Sequence, residues 1–213
     1  QWTKTIGDLD RVIQTDAMHS MGLGDLSNAP GALDTRVETV DIHTQLAYEG
    51  FYASAWYLKS EGGTGAGAAQ ALSNSDIEKT EAITLTSGYQ WSINPTFKMD
   101  FSLHYQTYED DTYFVIFPPG MSLPREFDEQ GIPSAFTVFT DGVIGQPIAH
   151  EKYYGANLVT HLTSFEQHKI RMEAGYRYSE SKPEELKNFG PSILDGSEEF
   201  KDGTLTNVRG TPY

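Results

Sequence analysis

Six stretches of this chain alternate apolar and polar residues with a period of two, and that alternation restricts the fold more than any other feature. In Phe97 to Gln106 the odd positions are Phe97, Met99, Phe101, Leu103 and Tyr105, and the even ones are Lys98, Asp100, Ser102, His104 and Gln106. Successive side chains of an extended strand point to opposite faces, so the pattern spells a strand with one apolar and one polar face; a helix needs a period of 3.6. Lys169 to Ser179 repeats it, with Ile170, Met172, Ala174, Tyr176 and Tyr178 on one side. Weaker versions occupy Val40 to Tyr48, Phe51 to Lys59, Thr80 to Trp91 and Tyr153 to Thr163. Six strands are expected.

At about nine to thirteen residues these strands are longer than the roughly five or six usual in soluble sheets, and they match what a tilted strand needs to cross a bilayer. A mean hydropathy of -0.45 and the lack of a long apolar run exclude a membrane-spanning helix. They leave a membrane barrel open, because alternating strands average to a polar hydropathy. The connections alternate in length as well. Glu49-Gly50, residues 92–96 and residues 164–167 read as short turns, whereas residues 60–77, 110–150 and 180–213 are long and rich in Gly, Pro, Ser or acids. Short turns at one end and long loops at the other is the arrangement of an outer-membrane barrel, with turns periplasmic and loops extracellular.

The aromatic residues, twelve Tyr, eleven Phe and three Trp, are expected to form two girdles at the headgroup levels. Tyr48, Phe51, Tyr52, Tyr89, Trp91 and Phe97 lie beside the short turns, and Tyr57, Tyr105, Tyr108, Tyr153, Tyr154, Tyr176 and Tyr178 at the loop ends. Between them Phe101, Leu103, Ile170 and Met172 are expected to face lipid. Residues 1–35 differ. Leu9, Val12, Ile13 and Ala17 fall at helical spacing after Asp8, an N-cap candidate, so a short helix within a loop is expected.

Charge and cysteine usage narrow the function. A formal net charge of -15 repels nucleic-acid phosphates. The absence of cysteine excludes disulfides, a thiolate nucleophile and Cys-ligated metals. The Gly-rich stretch Gly62 to Leu72 lacks the third glycine of a dinucleotide-binding turn and reads as a loop. His19, His43, His104, His150, His161 and His168 show no metal-ligand spacing, and His43, His104 and His161 fall on polar strand faces. No local motif announces a Ser/His/Asp triad, so the chain is read as no enzyme, with neither metal nor cofactor. The acids Glu109 to Asp111 and Asp195 to Asp202 read as solvated loops, with no calcium-loop spacing.

Six strands cannot close a barrel by themselves, since the smallest single-chain barrels have eight and an open edge in hydrocarbon strands its amides. The chain begins at Gln1 with no signal segment, and it is expected to be one stretch of a larger barrel. The sequences HKIRMEAGYRY (His168 to Tyr178), KNFGP (Lys187 to Pro191) and DGTLTNVRGTPY (Asp202 to Tyr213) resemble the mid-barrel region of TonB-dependent outer-membrane receptors of Gram-negative bacteria. There an NFG stretch and a GTLT(D/N)VTGTPY stretch occupy an extracellular loop; here Arg209 stands where the family's stretch has Thr. The resemblance implies a 22-stranded barrel with an N-terminal plug, importing an iron-siderophore complex or another scarce nutrient with energy from the TonB protein. Plug and energy-coupling box would lie outside this chain.

The expectation is therefore an all-β, antiparallel up-and-down transmembrane β-barrel segment of about six long strands in three hairpins. Residues 1–35 form a loop with a short helix, 36–180 the strands and 181–213 an extracellular loop. Its partners are membrane lipid, lipopolysaccharide, a small-molecule cargo and, through elements outside the chain, the TonB protein; nucleic acid is not among them. The loop Thr112 to His150 is rich in aromatic residues and stiffened by proline, and Tyr113, Phe114, Phe117, Arg125 and Phe127 are the candidate ligand contacts. The alternative is a secreted, soluble all-β module binding carbohydrate or another ligand.

Overall fold

A computed structural model describes the backbone of residues 2–5, 11–65, 70–165, 168–188, 201–202 and 208–209, and the side chains of 11–65, 70–124, 126–163 and 168–188. Asp8, residues 66–69 of the Gly-rich stretch, the Arg125 side chain, and most of the NFG and GTLTNVRGTPY stretches lie outside these residues. The chain is all-β and its strands pair antiparallel. In order they are β1 (Trp2–Thr5), β2 (Val12–Ile13), β3 (Gly31–Ala32), β4 (Val37–Tyr48), β5 (Phe51–Gly63), β6 (Ile77–Asn94), β7 (Phe97–Phe117), β8 (Met121–Phe127), β9 (Pro133–Phe139), β10 (Val143–Phe165), β11 (His168–Lys187), β12 (Lys201–Asp202) and β13 (Val208–Arg209). One sheet runs β1-β4-β5-β6-β7-β10-β11-β12, with β13 also on β11; β2-β3 and β8-β9 are separate ribbons.

The six expected strands are β4, β5, β6, β7, β10 and β11, in three hairpins. The first turn uses Glu49 (φ 46°) and Gly50 (φ 89°), the two left-handed residues that a twist-matched two-residue hairpin requires. A Cβ at Gly50 would also meet the Gln90 carbonyl at 2.5 Å, so β6 crosses too closely for any other residue.

Register reveals the inclination of the strands. Tyr48 aligns through Phe51, Tyr89, Phe101 and Leu158 with Ala174, which stands six residues beyond the turn end of β11 at His168. Six residues are roughly 20 Å of strand and five strand spacings roughly 24 Å, so turns at one level require a tilt of about 40°. The sheet is open. Among the described residues no strand lies against the outer edges of Ile42–Tyr48 or Lys169–Ser179.

The conventional core is small and sits almost wholly at the loop end. Met18, Ala29, Ala71, Leu72, Phe139, Val143 and Ile144 are buried there, and among the described residues Ala82 is the one buried apolar residue of the sheet away from that end. Asp16 organises this layer, accepting from the Leu72 amide (3.0 Å), the Ser27 hydroxyl (2.8 Å) and the His19 amide and ring (both 3.2 Å). Burial would raise the Asp16 carboxyl, but these donors outweigh it and hold it at about 2. Asn188 ties the top of β11 to β10, accepting from the Ile144 amide (2.8 Å) and donating to the Gly142 carbonyl (2.9 Å).

Several boundaries differ from expectation. The helix is the four-residue α1 (Ala17–Ser20), capped by Asp16, because Val12–Ile13 pair with Gly31–Ala32. The loop expected over 110–150 shrinks to 118–142 and itself contains the β8-β9 ribbon, since β7 and β10 keep pairing upward. Likewise β5 and β6 bound their loop at 64–76. In the tail expected to be a loop, β11 continues to Lys187, and β12 and β13 lie along it.

Candidate functional site

The sheet has two unlike faces, and register assigns every strand residue to one of them. On one face the levels read Tyr48-Phe51-Tyr89-Phe101-Leu158-Ala174, then Leu46-Ala53-Ser87-Leu103-Ala156-Tyr176, then Thr44-Ala55-Leu85-Tyr105-Tyr154-Tyr178. Ile42, Leu46, Tyr48, Phe51, Leu85, Trp91, Phe101, Leu103, Tyr154, Ile170, Met172 and Tyr176 are exposed there, from 36% for Phe101 to 68% for Tyr48. Among the described residues nothing covers them. Phe101, Leu103, Ile170 and Met172, the expected lipid-facing set, share this face. Toward the loops it becomes charged, at the level Lys59-Glu81-Glu109-His150-Lys182.

The opposite face carries hydrogen-bonding side chains at the same heights: Ala47-Tyr52-Gly88-Ser102-Asn157-Gly175, then Gln45-Ser54-Thr86-His104-Gly155-Arg177, then His43-Trp56-Thr84-Gln106-Tyr153-Ser179. These side chains pair with one another. The Tyr52 hydroxyl donates to Asp100 (2.8 Å), and the Gln90 amide donates to the other carboxylate oxygen (2.8 Å). Gly88 makes that reach feasible, since a Cβ there would collide with the Tyr52 ring and stand 2.7 Å from the Phe101 carbonyl. A second tyrosine repeats the device: Tyr153 folds over Gly155, and the Arg177 guanidinium lies 5.0 Å from the Tyr153 ring centre. Asp41 accepts from the Trp56 indole (2.9 Å) and meets His43 Nε2 at 2.8 Å, while the His43 and Trp56 rings stack. Glu173 accepts from Asn157 (3.0 Å) and pairs with Arg171 at 2.5 Å.

His104 meets the Ser102 hydroxyl at Nε2 (3.0 Å) and the Thr86 hydroxyl at Nδ1 (3.2 Å). A Ser-His pair of this kind lacks the carboxylate that orients a catalytic base, so the arrangement is a hydroxyl ladder across two strands. Among the described residues no group of three or more His, Asp or Glu side chains is placed to hold a metal ion.

Two sequence readings are corrected by side. Tyr52, Tyr108 and Tyr153 belong to the polar face and not to the girdles, whereas Tyr105, Tyr154 and Tyr178 do form an outward row with ring centres 5.2 and 6.2 Å apart. The candidate ligand contacts do not form one cluster either. Strand alternation sets Tyr113 on the outward side of β7 and Phe114 on the other, against Gly145, and a bulge after Val115 breaks the alternation so that Phe117 stands opposite Val143. Arg125 and Phe127 belong to β8, where Phe127 is exposed. The Tyr52, Gly88 and Asp100 constellation escaped sequence reading. Its signal was a glycine inside an otherwise regular strand.

The chain matches no protein-family model, no curated protein and no solved structure.

Proposed function

We propose that this chain is part of a transmembrane barrel of the bacterial outer membrane, resembling a TonB-dependent receptor, that takes up an iron-siderophore-type or other scarce nutrient. The observation that carries the reading is the placement of twelve exposed large apolar side chains on one face of six strands, above a network of paired polar groups on the other. Water penalises such a face by about 25 cal/mol for each Å² of apolar surface left wet, whereas hydrocarbon removes the penalty. Dimensions support it. From Phe97 to Thr107 the outward face is apolar or weakly polar, roughly 33 Å of strand; at a tilt of about 40° this spans roughly 25 Å, the height of a barrel's apolar band.

In this reading the polar face lines a water-accessible interior, and the open edges of β4 and β11 are completed by strands beyond those described. The barrel's role is passage and not catalysis. Energy coupling to the TonB protein belongs to elements outside the chain, and lipid and lipopolysaccharide surround it. Of the candidate ligand contacts, Phe114 lies on the interior side of β7 and is assigned to cargo at the loop-end mouth.

Two single-tryptophan variants test the orientation, one retaining Trp91 on the outward face and one retaining Trp56 on the polar face. In proteoliposomes of the complete barrel that contains this chain, with these as its single tryptophans, brominated acyl chains should quench Trp91 and leave Trp56 bright. A complete protein that stays in solution with neither tryptophan quenched would overturn the proposal and favour the soluble binding module.

A further inference from the structure

The β8-β9 ribbon is a second apolar surface, remote from the band of the sheet. Burial alternates along β9: Thr137 and Phe139 are buried, while Ser134, Phe136 and Val138 turn outward. Phe136 and Val138 stand opposite Pro124 and Ser122, so the outward side of both strands forms one surface. Phe136 and Val138 on this side, and Phe127 and Ile132 beside the tip, are each 54–61% exposed, although a two-stranded ribbon free of function would be expected to turn polar residues outward. The tip is rigid. Asp128 accepts from the Gln130 amide (2.9 Å) and the Ile132 amide (2.8 Å), and its own amide donates to the Ile132 carbonyl (2.9 Å).

We infer that this ribbon face is a docking surface for a protein partner presenting an apolar patch rimmed by Lys or Arg. Three observations select that occupant. The four side chains project from a narrow ribbon, and a projecting surface cannot enclose most of a small molecule as a binding cleft does. Residues 118–142 contain four acids, Glu126, Asp128, Glu129 and Asp141, against one base, Arg125, so the surroundings of the patch are acidic. That charge repels an anionic lipid surface and attracts a cationic rim. A preorganised tip lowers the ordering cost of binding. The inference does not depend on what covers the sheet.

The test uses the whole chain in non-ionic detergent micelles and two fluorescent decapeptides, one alternating Phe with Lys and one alternating Phe with Glu. The Lys peptide should bind more tightly than the Glu peptide. Phe136→Ser with Val138→Ser should weaken it by about tenfold or more, as expected for loss of central apolar contacts. Ser134→Lys adds a repelling charge at an exposed position without removing any packing, and it should also weaken the Lys peptide, so the inference stays testable if the double variant misfolds. Equal binding of the Lys peptide to the parent chain and to Ser134→Lys would overturn the inference, as would equal binding of the two peptides. Binding to anionic vesicles that Phe136→Ser abolishes would overturn it in favour of a membrane contact.

Discussion

Leu103 and His104 are neighbours in β7 and opposites in surroundings. Leu103 stands in an exposed apolar row between Ser87 and Ala156, and His104 bridges the hydroxyls of Thr86 and Ser102. The contrast recurs along all six strands, and it shows what a strand can do that a helix segment of the same length cannot: present two chemically different surfaces at single-residue resolution. The largest effect should come from forcing a charge across that divide. With the sheet in lipid, Leu103→Arg should cost about 2–4 kcal/mol, the scale for a cation at mid-bilayer. Gln106→Arg, exposed on the polar face, should stay within about 0.5 kcal/mol. Urea unfolding from vesicles, followed by tryptophan fluorescence, measures both. Equal costs would mean that the two faces meet the same medium, and the orientation proposed above would fail.

Packing separates the faces as sharply as charge does. Ser87 and Gly88 are adjacent, with Ser87 lining a shallow apolar depression of about 470 Å³ between Leu46, Leu85 and Leu103. Gly88 lies beneath Tyr52. A side chain added at Gly88 must displace the Tyr52 ring and break its bond to Asp100, so Gly88→Val should destabilise by about 1–3 kcal/mol. Ser87→Val only fills open apolar space and should be close to neutral. A double-mutant cycle sharpens the point. The Gly88→Val cost should shrink in a Tyr52→Ser background without vanishing, because the Phe101 carbonyl still stands 2.7 Å from the new Cβ. An unchanged cost would show that backbone crowding, and not the tyrosine, requires the glycine.

How far the sequence could be read follows from the same contrast. The strands were legible wherever the two faces meet different surroundings, as in Phe97 to Gln106. Their upper halves were not. At Glu109, Asp111 and His150 the outward positions become charged, alternation fades, and only pairing with the neighbouring strand keeps the backbone extended. Pro124 and Pro133 hid the β8-β9 ribbon, since proline argues against a central strand yet is tolerated on a free ribbon edge. The spacing of Val12, Ile13 and Ala17 suggested a longer helix, but a bridge to Gly31–Ala32 claims the first two. The Tyr52 to Asp100 bond spans 48 positions in sequence, and no local pattern encodes it.

The smallest effect distinguishes the loop end from the sheet. The sheet is held by long ladders of backbone pairs, whereas the loop layer of Met18, Ala29 and Leu72 is joined by the Asp16 carboxylate and by the Asn28 side chain, which donates to the Leu72 carbonyl (3.0 Å). The folded-state value of Asp16, about 2, lies below the ordinary 3.8, so its contribution is present above 3.8 and is lost as pH falls through about 2. The Leu72 amide, which donates to Asp16, should therefore lose hydrogen-exchange protection across that window once intrinsic rates are normalised, while the Leu103 and His104 amides keep theirs. Asp16→Asn should abolish the pH dependence and cost the layer about 1–2 kcal/mol, since charge-assisted bonds become neutral ones. Protection of Leu72 that is the same at pH 2 and pH 5 would show that the layer is held by its apolar packing alone, and loss at Leu103 together with Leu72 would mean that the loops and the sheet unfold as one unit.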